Sequence, residues 1–255
     1  MLPNALVTAL RPLRWPGKRR MMERLSPHYG QRAARIAGAS FQLDLSEYIQ
    51  RQLYQGTFEL AETRLVRRFL RPGMTFVDGG ANAGYFTALA AQCVGPTGRV
   101  IAYEPSPQAL PQLRRLVSAN HWPRVEVVGS GLGACQDELT LYWNPSSGNH
   151  TPTLVPHAAS SQVRVEIRTL DREAIRLGLE RIDFLKLDVE GSEPQILVGA
   201  QRLLSERRIG AILCEFNEPW LRAAGSSSDS LDTQLRAAGL RRQNESLGDN
   251  RFYTA

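Results

Sequence analysis

The sequence predicts an α/β fold, an open parallel sheet covered by helices on both faces. Two observations carry that expectation. From residue 74 to the C-terminus, short apolar runs alternate with segments of helical periodicity, the pattern that builds a sheet covered on two sides. The first apolar run, Thr75-Phe76-Val77-Asp78, breaks into a glycine-rich turn, Gly79-Gly80-Ala81-Asn82-Ala83-Gly84, and then opens a helix.

The elements follow in order. Residues 1–40 read as an irregular basic leader with Pro at positions 3, 12, 16 and 27. A helical extension occupies 41–72. Leu45, Tyr48, Ile49 and Leu53 keep helical spacing, a second run holds Leu60, Leu65, Val66, Phe69 and Leu70, and Gly56 separates the two. Arg71-Pro72-Gly73 ends the second helix and leads into the main domain, 73–255. There, strands are expected over 74–78, 99–103, 125–128, 182–187 and 209–214, with helices over 85–93, 107–119, 171–177, 194–204 and 231–238. Between 137 and 168 the alternation changes. Residues 139–143 and 163–167 read as a hairpin around a loop rich in Ser, Pro and Asn, and two short strands close the chain over 240–243 and 251–254.

The chain has 255 residues, enough for one α/β domain with a modest extension. Residues 1–40 hold eight Lys and Arg against one acid, Glu23, a segment charge of +7 in a chain of net charge +6. The basic balance therefore belongs to the leader. A basic segment can rest on an anionic membrane surface or bind nucleic acid, or be a solvated, partly disordered leader, and its prolines place it outside the core, dispensable for catalysis on a soluble acceptor. No apolar run reaches the roughly 18 residues of a membrane span, and residues 5–10 are too short for a signal-peptide core. Cys93, Cys135 and Cys214 are odd in number and widely spaced, which suits neither a zinc site nor a disulfide framework; a reducing, cytoplasmic setting is expected.

The glycine-rich turn lets a ligand approach the backbone closely. About 20 residues beyond it the second strand ends in Glu104-Pro105, where an acidic residue accepts both hydroxyls of a ribose. The turn reads Gly80-x-Asn82-x-Gly84 rather than the dinucleotide fingerprint Gly-x-Gly-x-x-Gly. Asn tolerates a left-handed backbone and stands in for a middle glycine. The missing third glycine argues against a pyrophosphate on the helix N-terminus, so a nucleoside cofactor without phosphates, S-adenosylmethionine, fits better. A second motif, Asp183-Phe184-Leu185-Lys186-Leu187-Asp188-Val189-Glu190-Gly191-Ser192-Glu193, delivers Lys186, Asp188 and Glu190 to the carboxyl end of a buried strand. Strand alternation would aim the three the same way, with the lysine keeping the carboxylates ionised.

These motifs, together with Thr169-Leu170-Asp171 and Glu215-Phe216-Asn217, resemble the FkbM-type methyltransferases from about residue 44 onward. The resemblance implies a class I, Rossmann-like fold with a seven-stranded sheet, S-adenosylmethionine as methyl donor, and a hydroxyl acceptor on a sugar, glycolipid or polyketide-type molecule. By position, Asp78, Gly80, Ala81, Asn82 and Gly84 would line the methionine and ribose end of the cofactor. Glu104 with Pro105 would hold the ribose, and Glu59 would reach the amino group. Gly79 stands where the family has a branched apolar residue, which should loosen packing. Gly129-Ser130-Gly131-Leu132 replaces the family's Asn-Ala-Ala-Leu, leaving Ser130 or a backbone group to meet the adenine.

A hydroxyl nucleophile needs a base. Asp188 is the first candidate and Glu190 the second, with His150 and His157 as further options. Asp188, Glu190, Glu215 and Asn217 also offer oxygen ligands of the kind Mg²⁺ accepts, although no metal is assigned. In the insert, Trp143 and Tyr142 are expected to stack on the acceptor, and Asn144, Asn149 and His150 to bond its hydroxyls. The competing readings are an RNA methyltransferase, an NAD-dependent oxidoreductase and a non-catalytic binding module. The charge lies outside the sheet domain, no Asn-Pro-Pro-Tyr-like motif appears, and no Tyr-x-x-x-Lys signature appears. The expected partner is a small-molecule or glycan acceptor, with no stable nucleic acid; nothing in the sequence sets the oligomeric state.

Overall fold

The computed structural model describes residues 4–13, 15–143, 153–154 and 161–255. The chain enters through α1 (Asn4–Leu10) and α2 (Lys18–Leu25) and turns through an antiparallel hairpin, β1 (Gln31–Ile36) and β2 (Ala39–Asp44). It then runs through α3 (Tyr48–Gln55) and α4 (Leu60–Phe69). Gly56 ends α3 in the left-handed region at φ 65°, which explains the break between the two helices.

The first 40 residues are therefore not irregular. Val7 and Met22 are fully buried in the core. Two of the basic side chains are internal fasteners: Arg11 Nε donates to the Tyr54 carbonyl at 2.7 Å, and the buried Lys18 ammonium donates to the Gly56 carbonyl at 3.0 Å. Charge and proline content concealed a segment that packs on α3, because its apolar anchors are few.

The main domain alternates as expected: β3 (Thr75–Gly79), α5 (Tyr85–Val94), β4 (Arg99–Tyr103), α6 (Leu110–Ala119) and β5 (Val125–Val128). The insert follows as β6 (Gly131–Leu132), β7 (Asp137–Trp143) and β8 (Ser161–Arg168). Then come α7 (Leu170–Arg176), β9 (Phe184–Leu187), α8 (Glu193–Val198), α9 (Gln201–Ser205), β10 (Ala211–Glu215), α10 (Glu218–Ala223), α11 (Ser228–Ala237), β11 (Arg241–Arg242) and β12 (Asn250–Thr254). A seven-stranded sheet has the order β11-β12-β10-β9-β3-β4-β5, and β6-β8-β7 form a separate sheet in which β7 and β8 are an antiparallel pair.

The sheet is mixed rather than wholly parallel. β12 runs antiparallel to both β10 and β11, because the short connection between β11 and β12 closes a hairpin and leaves no room for a crossover. The expected helix over 194–204 is two helices. Gly199 lies between them, and a Cβ there would stand 2.0 Å from the Gly133 carbonyl oxygen, so the chain bends where it crosses the insert. Helix α10 was not foreseen.

Alternation along the strands fills two cores. Phe76 and Phe184 stack on one face with Phe252, under α4 and α5. Val77, Leu185, Leu187 and Ile212 fill the other, with α8 and α11. Gly79 does not loosen this packing: a Cβ there would meet Leu187 Cδ2 at 3.1 Å and the Lys186 carbonyl oxygen at 3.2 Å, closer than a branched residue tolerates. From β3 the chain goes outward to β4 and β5, then crosses to β9 on the other side. A crevice thus opens at the carboxyl ends of β3 and β9, where open α/β sheets bind ligands.

Candidate active site

A cavity of about 320 Å³ occupies that crevice. Asp78, Gly80, Ala81 and Asn82 line it from β3, Glu104 and Pro105 from β4, Lys186, Asp188 and Glu190 from β9, and Glu215 and Asn217 from β10. Further walls come from α3 and the segment after it (Tyr48, Ile49, Leu53, Phe58, Glu59) and from the insert (Gly131, Leu132, Leu141, Leu154).

The glycine-rich turn is built by close approach. Gly80 has φ 82°, and a Cβ on it would lie 1.9 Å from the Asp188 carbonyl oxygen. The glycine is thus required where the ends of β3 and β9 touch, beyond any ligand. Asn82 adopts φ 49°, the left-handed conformation for which Asn is suited. The N–H groups of Gly80 and Ala81 both donate to the Tyr103 carbonyl, at 3.1 and 3.0 Å.

Glu104 is stitched into this turn. Its Oε2 accepts the Asn82 N–H at 2.7 Å and its Oε1 accepts the Ser106 N–H at 2.8 Å. Burial pushes its pKa up to about 7, with the two N–H bonds pulling the other way. Each carboxylate oxygen keeps capacity for a second donor, so Glu104 is able to hold the turn and a ribose together. The first of these roles was not legible in the sequence.

Three carboxylates that line the cavity, Asp78, Glu59 and Glu215, have an oxygen with no partner among the described residues, and the first two sit at the glycine-turn side. Asp78 Oδ2 accepts the Thr87 hydroxyl at 2.6 Å, whereas Oδ1 is buried and unpaired. Glu59 precedes α4 at φ 35°, and its Oε2 is likewise buried and unpaired. Burial raises both pKa values, that of Glu59 to about 8. An orphaned buried carboxylate is costly and marks a place for a cationic donor.

The cation already present is Lys186, only 2% exposed. Its Nζ donates to Asp188 Oδ2 at 2.7 Å and lies 4.8 Å from the centre of the Phe86 ring. Burial alone would lower its pKa, but Asp188, Glu59 and Asp78 together outweigh burial and raise it. Lys186, Asp188 and Glu190 would share one face if the strand continued through them. Instead, β9 ends at Leu187, and a left-handed turn at Glu190 (φ 53°) carries that carboxylate into the cavity. Glu193 fixes the turn by accepting the N–H groups of Val189 at 3.0 Å and Gly191 at 3.1 Å.

Carboxylate oxygens of Asp188, Glu190 and Glu215 all lie within 4.8 Å of one another. Burial first, and the neighbouring charges next, push Glu190 up to about 8 and Glu215 up to about 10. Asn217 Nδ2 reaches Glu190 Oε2 at 3.5 Å. The cluster is able to share a proton, and its oxygens are donors of the type that a hard divalent cation accepts.

Other expected site residues fall elsewhere. Gly84, at φ 86°, is not part of the lining; a Cβ there would meet Leu116 at 2.6 Å and Leu113 at 2.7 Å, so its task is to let α6 approach. Ser130 is fully buried with an unpaired hydroxyl outside the lining, while its neighbours Gly131 and Leu132 reach the cavity. Trp143 ends β7, half-buried and not among the lining residues, whereas Leu141, two residues before it on the same strand face, lines the cavity. His150, His157, Asn144 and Asn149 lie outside the described residues. Tyr48, Ile49 and Leu53 were not expected in the site: the helical period of α3 was visible, but not its position over the sheet edge.

Residues 78–242 match the model of the methyltransferase FkbM domain. AMB antimetabolite synthetase AmbE of Pseudomonas aeruginosa is 27% identical over 80% of this chain, which spans 11% of AmbE. Methyltransferase sdnD of Sordaria araneosa is 30% identical over 48% of this chain and 59% of its own length. Ribosomal RNA large subunit methyltransferase E of Alkalilimnicola ehrlichii is 36% identical over 38% of this chain and 41% of its own length. Thus the chain spans less than two thirds of each of these relatives. With the match extending over more than half of the chain, including the cavity residues from Asp78 to Asn217, the chain belongs to the FkbM methyltransferase family, whose cofactor is S-adenosylmethionine.

Proposed function

We propose that this protein transfers the methyl group of S-adenosylmethionine to a hydroxyl of a small acceptor, a sugar, glycolipid or polyketide-type molecule. One observation carries the reading. Among the described residues six carboxylates line the cavity, Glu59, Asp78, Glu104, Asp188, Glu190 and Glu215, against one cation, Lys186. Several of these carboxyls are raised toward or above neutral pH and hold protons, which a cationic, phosphate-free cofactor displaces and the pyrophosphate of NAD or the backbone of RNA does not. The orphaned oxygens of Asp78 and Glu59 fit its amino group, and Glu104 its ribose hydroxyls. When bound, the cofactor supplies an electrophilic methyl group.

The protein's own part is to orient the acceptor, exclude water and take the hydroxyl proton. Lys186 anchors Asp188 and withholds one of its oxygens, so Asp188 is placed to orient the hydroxyl. Glu190, lifted to about 8, is matched to proton acceptance near neutral pH. This reverses the order in which the two carboxylates were expected to serve as base. Ile49, Leu53, Phe58, Leu141 and Leu154 give the cavity apolar walls that suit an acceptor with an apolar body. Three free cysteines support a reducing, cytoplasmic setting; no helix among the described residues is long and apolar enough to cross a membrane. Calorimetric titration with S-adenosylmethionine and with NAD, followed by a methyl-transfer screen over hydroxylated glycans and lipids, tests the reading. Binding of NAD in place of S-adenosylmethionine would refute it.

A further inference from the structure

The first 30 residues present a face that neither the fold nor the cavity uses. In α2 the helical repeat places Arg20 and Arg24 opposite Lys18 and Met22, which are buried. Both arginines are exposed, and neither side chain has a hydrogen-bond or ion-pair partner among the described residues. The same segment carries Leu13 at 52% exposure, Met21 at 36% and Tyr29 at 79%. These are three of the seven large apolar side chains exposed among the described residues, gathered within positions 13–29.

The face is held firmly beside the cavity. Glu23, on the inner side of α2, accepts Arg51 Nε at 3.2 Å and Gln55 Nε2 at 2.9 Å, both from α3. Arg19 donates to the hydroxyl of Tyr48, a residue that lines the cavity.

We propose that this face docks on an anionic lipid bilayer, with Arg20 and Arg24 over the headgroups and Leu13, Met21 and Tyr29 in the interfacial layer. The exposed Arg20 and Arg24, free of any carboxylate partner among the described residues, supply the attraction within a segment of net positive charge. The exposed apolar side chains decide between lipid and nucleic acid: Leu and Met gain from an interface with acyl chains and gain nothing from a phosphate backbone. Docking here turns the α3 side of the cavity toward the membrane.

The test is sedimentation of the full chain with vesicles of phosphatidylglycerol mixed with phosphatidylcholine, and with phosphatidylcholine alone. Binding to the anionic vesicles is expected, with little to the neutral ones and progressive loss as salt is added. Arg20→Gln with Arg24→Gln should weaken binding about 25-fold, about 5-fold for each arginine. Leu13→Ser with Tyr29→Ser should weaken it while leaving the charge intact, and Arg241→Gln on the far edge of the sheet should leave it unchanged. Equal binding to neutral vesicles, wild-type binding by the double arginine variant, or retention of an RNA oligonucleotide without vesicle binding would each overturn the proposal. The assay reads no methyl transfer, so its outcome stands apart from that of the catalytic reading.

Discussion

Lys186 Nζ lies 2.7 Å from Asp188 Oδ2, and the pair is set at the end of β9 with the lysine almost wholly removed from solvent. A buried lysine is tolerated only when paired, and here the carboxylates of Asp188, Glu59 and Asp78 surround it. Lys186→Met would leave those carboxylates buried without their counter-ion. The expected cost is about 3–5 kcal/mol of stability, read as a lower urea midpoint with an unchanged slope. Unaltered stability would show that the carboxylates do not depend on Lys186.

Asp188→Asn and Glu190→Gln keep shape and remove charge. Each should lower turnover about 10²–10⁴-fold while cofactor affinity, measured by calorimetry, changes little. A chelator separates two ways of losing activity. Turnover of the wild type that survives chelation supports proton acceptance by the carboxylates; turnover that dies and returns with Mg²⁺ supports a metal held by Asp188, Glu190 and Glu215. Near-normal turnover in both variants would remove the cluster from the chemistry.

The raised carboxyls predict a proton signature on binding. Glu59, at about 8, is partly protonated in the free protein near neutral pH, and burial raises Asp78 as well. A cation placed against them lowers their pKa values, so binding of S-adenosylmethionine should release protons. Calorimetry at about pH 7.5 in buffers of different ionisation enthalpy reads this directly. Proton uptake would contradict the assignment of these two residues to the cofactor.

Stability should also depend on pH. Glu190 and Glu215 are raised from 4.5 to about 8 and about 10. An acid whose folded pKa lies above its unfolded value binds more protons when folded. Its contribution is therefore complete below about pH 4.5 and is lost as pH rises through 8 to 10. The cofactor-free protein should lose melting temperature between about pH 6 and about pH 9, and Glu215→Gln should lose less of it. Parallel decline in both proteins would mean that Glu215 is not the group that titrates.

Removal of residues 1–40 should destabilise the protein and weaken cofactor binding, contrary to what their composition suggests. Val7 and Met22 are core residues, and Lys18 and Arg11 tie the segment to the end of α3, which lines the cavity. A truncated chain that melts and binds like the whole would place the segment outside the cooperative unit.

Much of this was legible in the sequence where chemistry is local. Asp78, Asn82 and Glu104 announced themselves because a strand, a left-handed turn and an acidic strand end each carry a chain-local signature. Contacts made by distant segments were hidden. Gly80 is needed against the Asp188 carbonyl and Gly84 against α6, yet both looked like ligand-facing glycines. Glu104 was seen as a ribose acceptor but not as the clasp of the Asn82 turn. Trp143 was expected against the acceptor because it is aromatic, but of the two residues on that face of β7 it is Leu141 that lines the cavity, and how far along a strand a cavity extends has no local signature. The leader escaped because a few widely spaced core residues, Val7, Met22, Ile36 and Ala39, among eight cations do not make a visible period.

Transfer of a radiolabelled methyl group from S-adenosylmethionine to a mixture of hydroxylated glycans and lipids is the decisive measurement, with the product treated with alkali. Label in an alkali-stable methyl ether, reduced at least about 100-fold in the Asp188→Asn and Glu190→Gln variants, is the predicted result. Label released by alkali as from a carboxyl ester, or recovered on RNA, would contradict methyl transfer to a small-molecule hydroxyl.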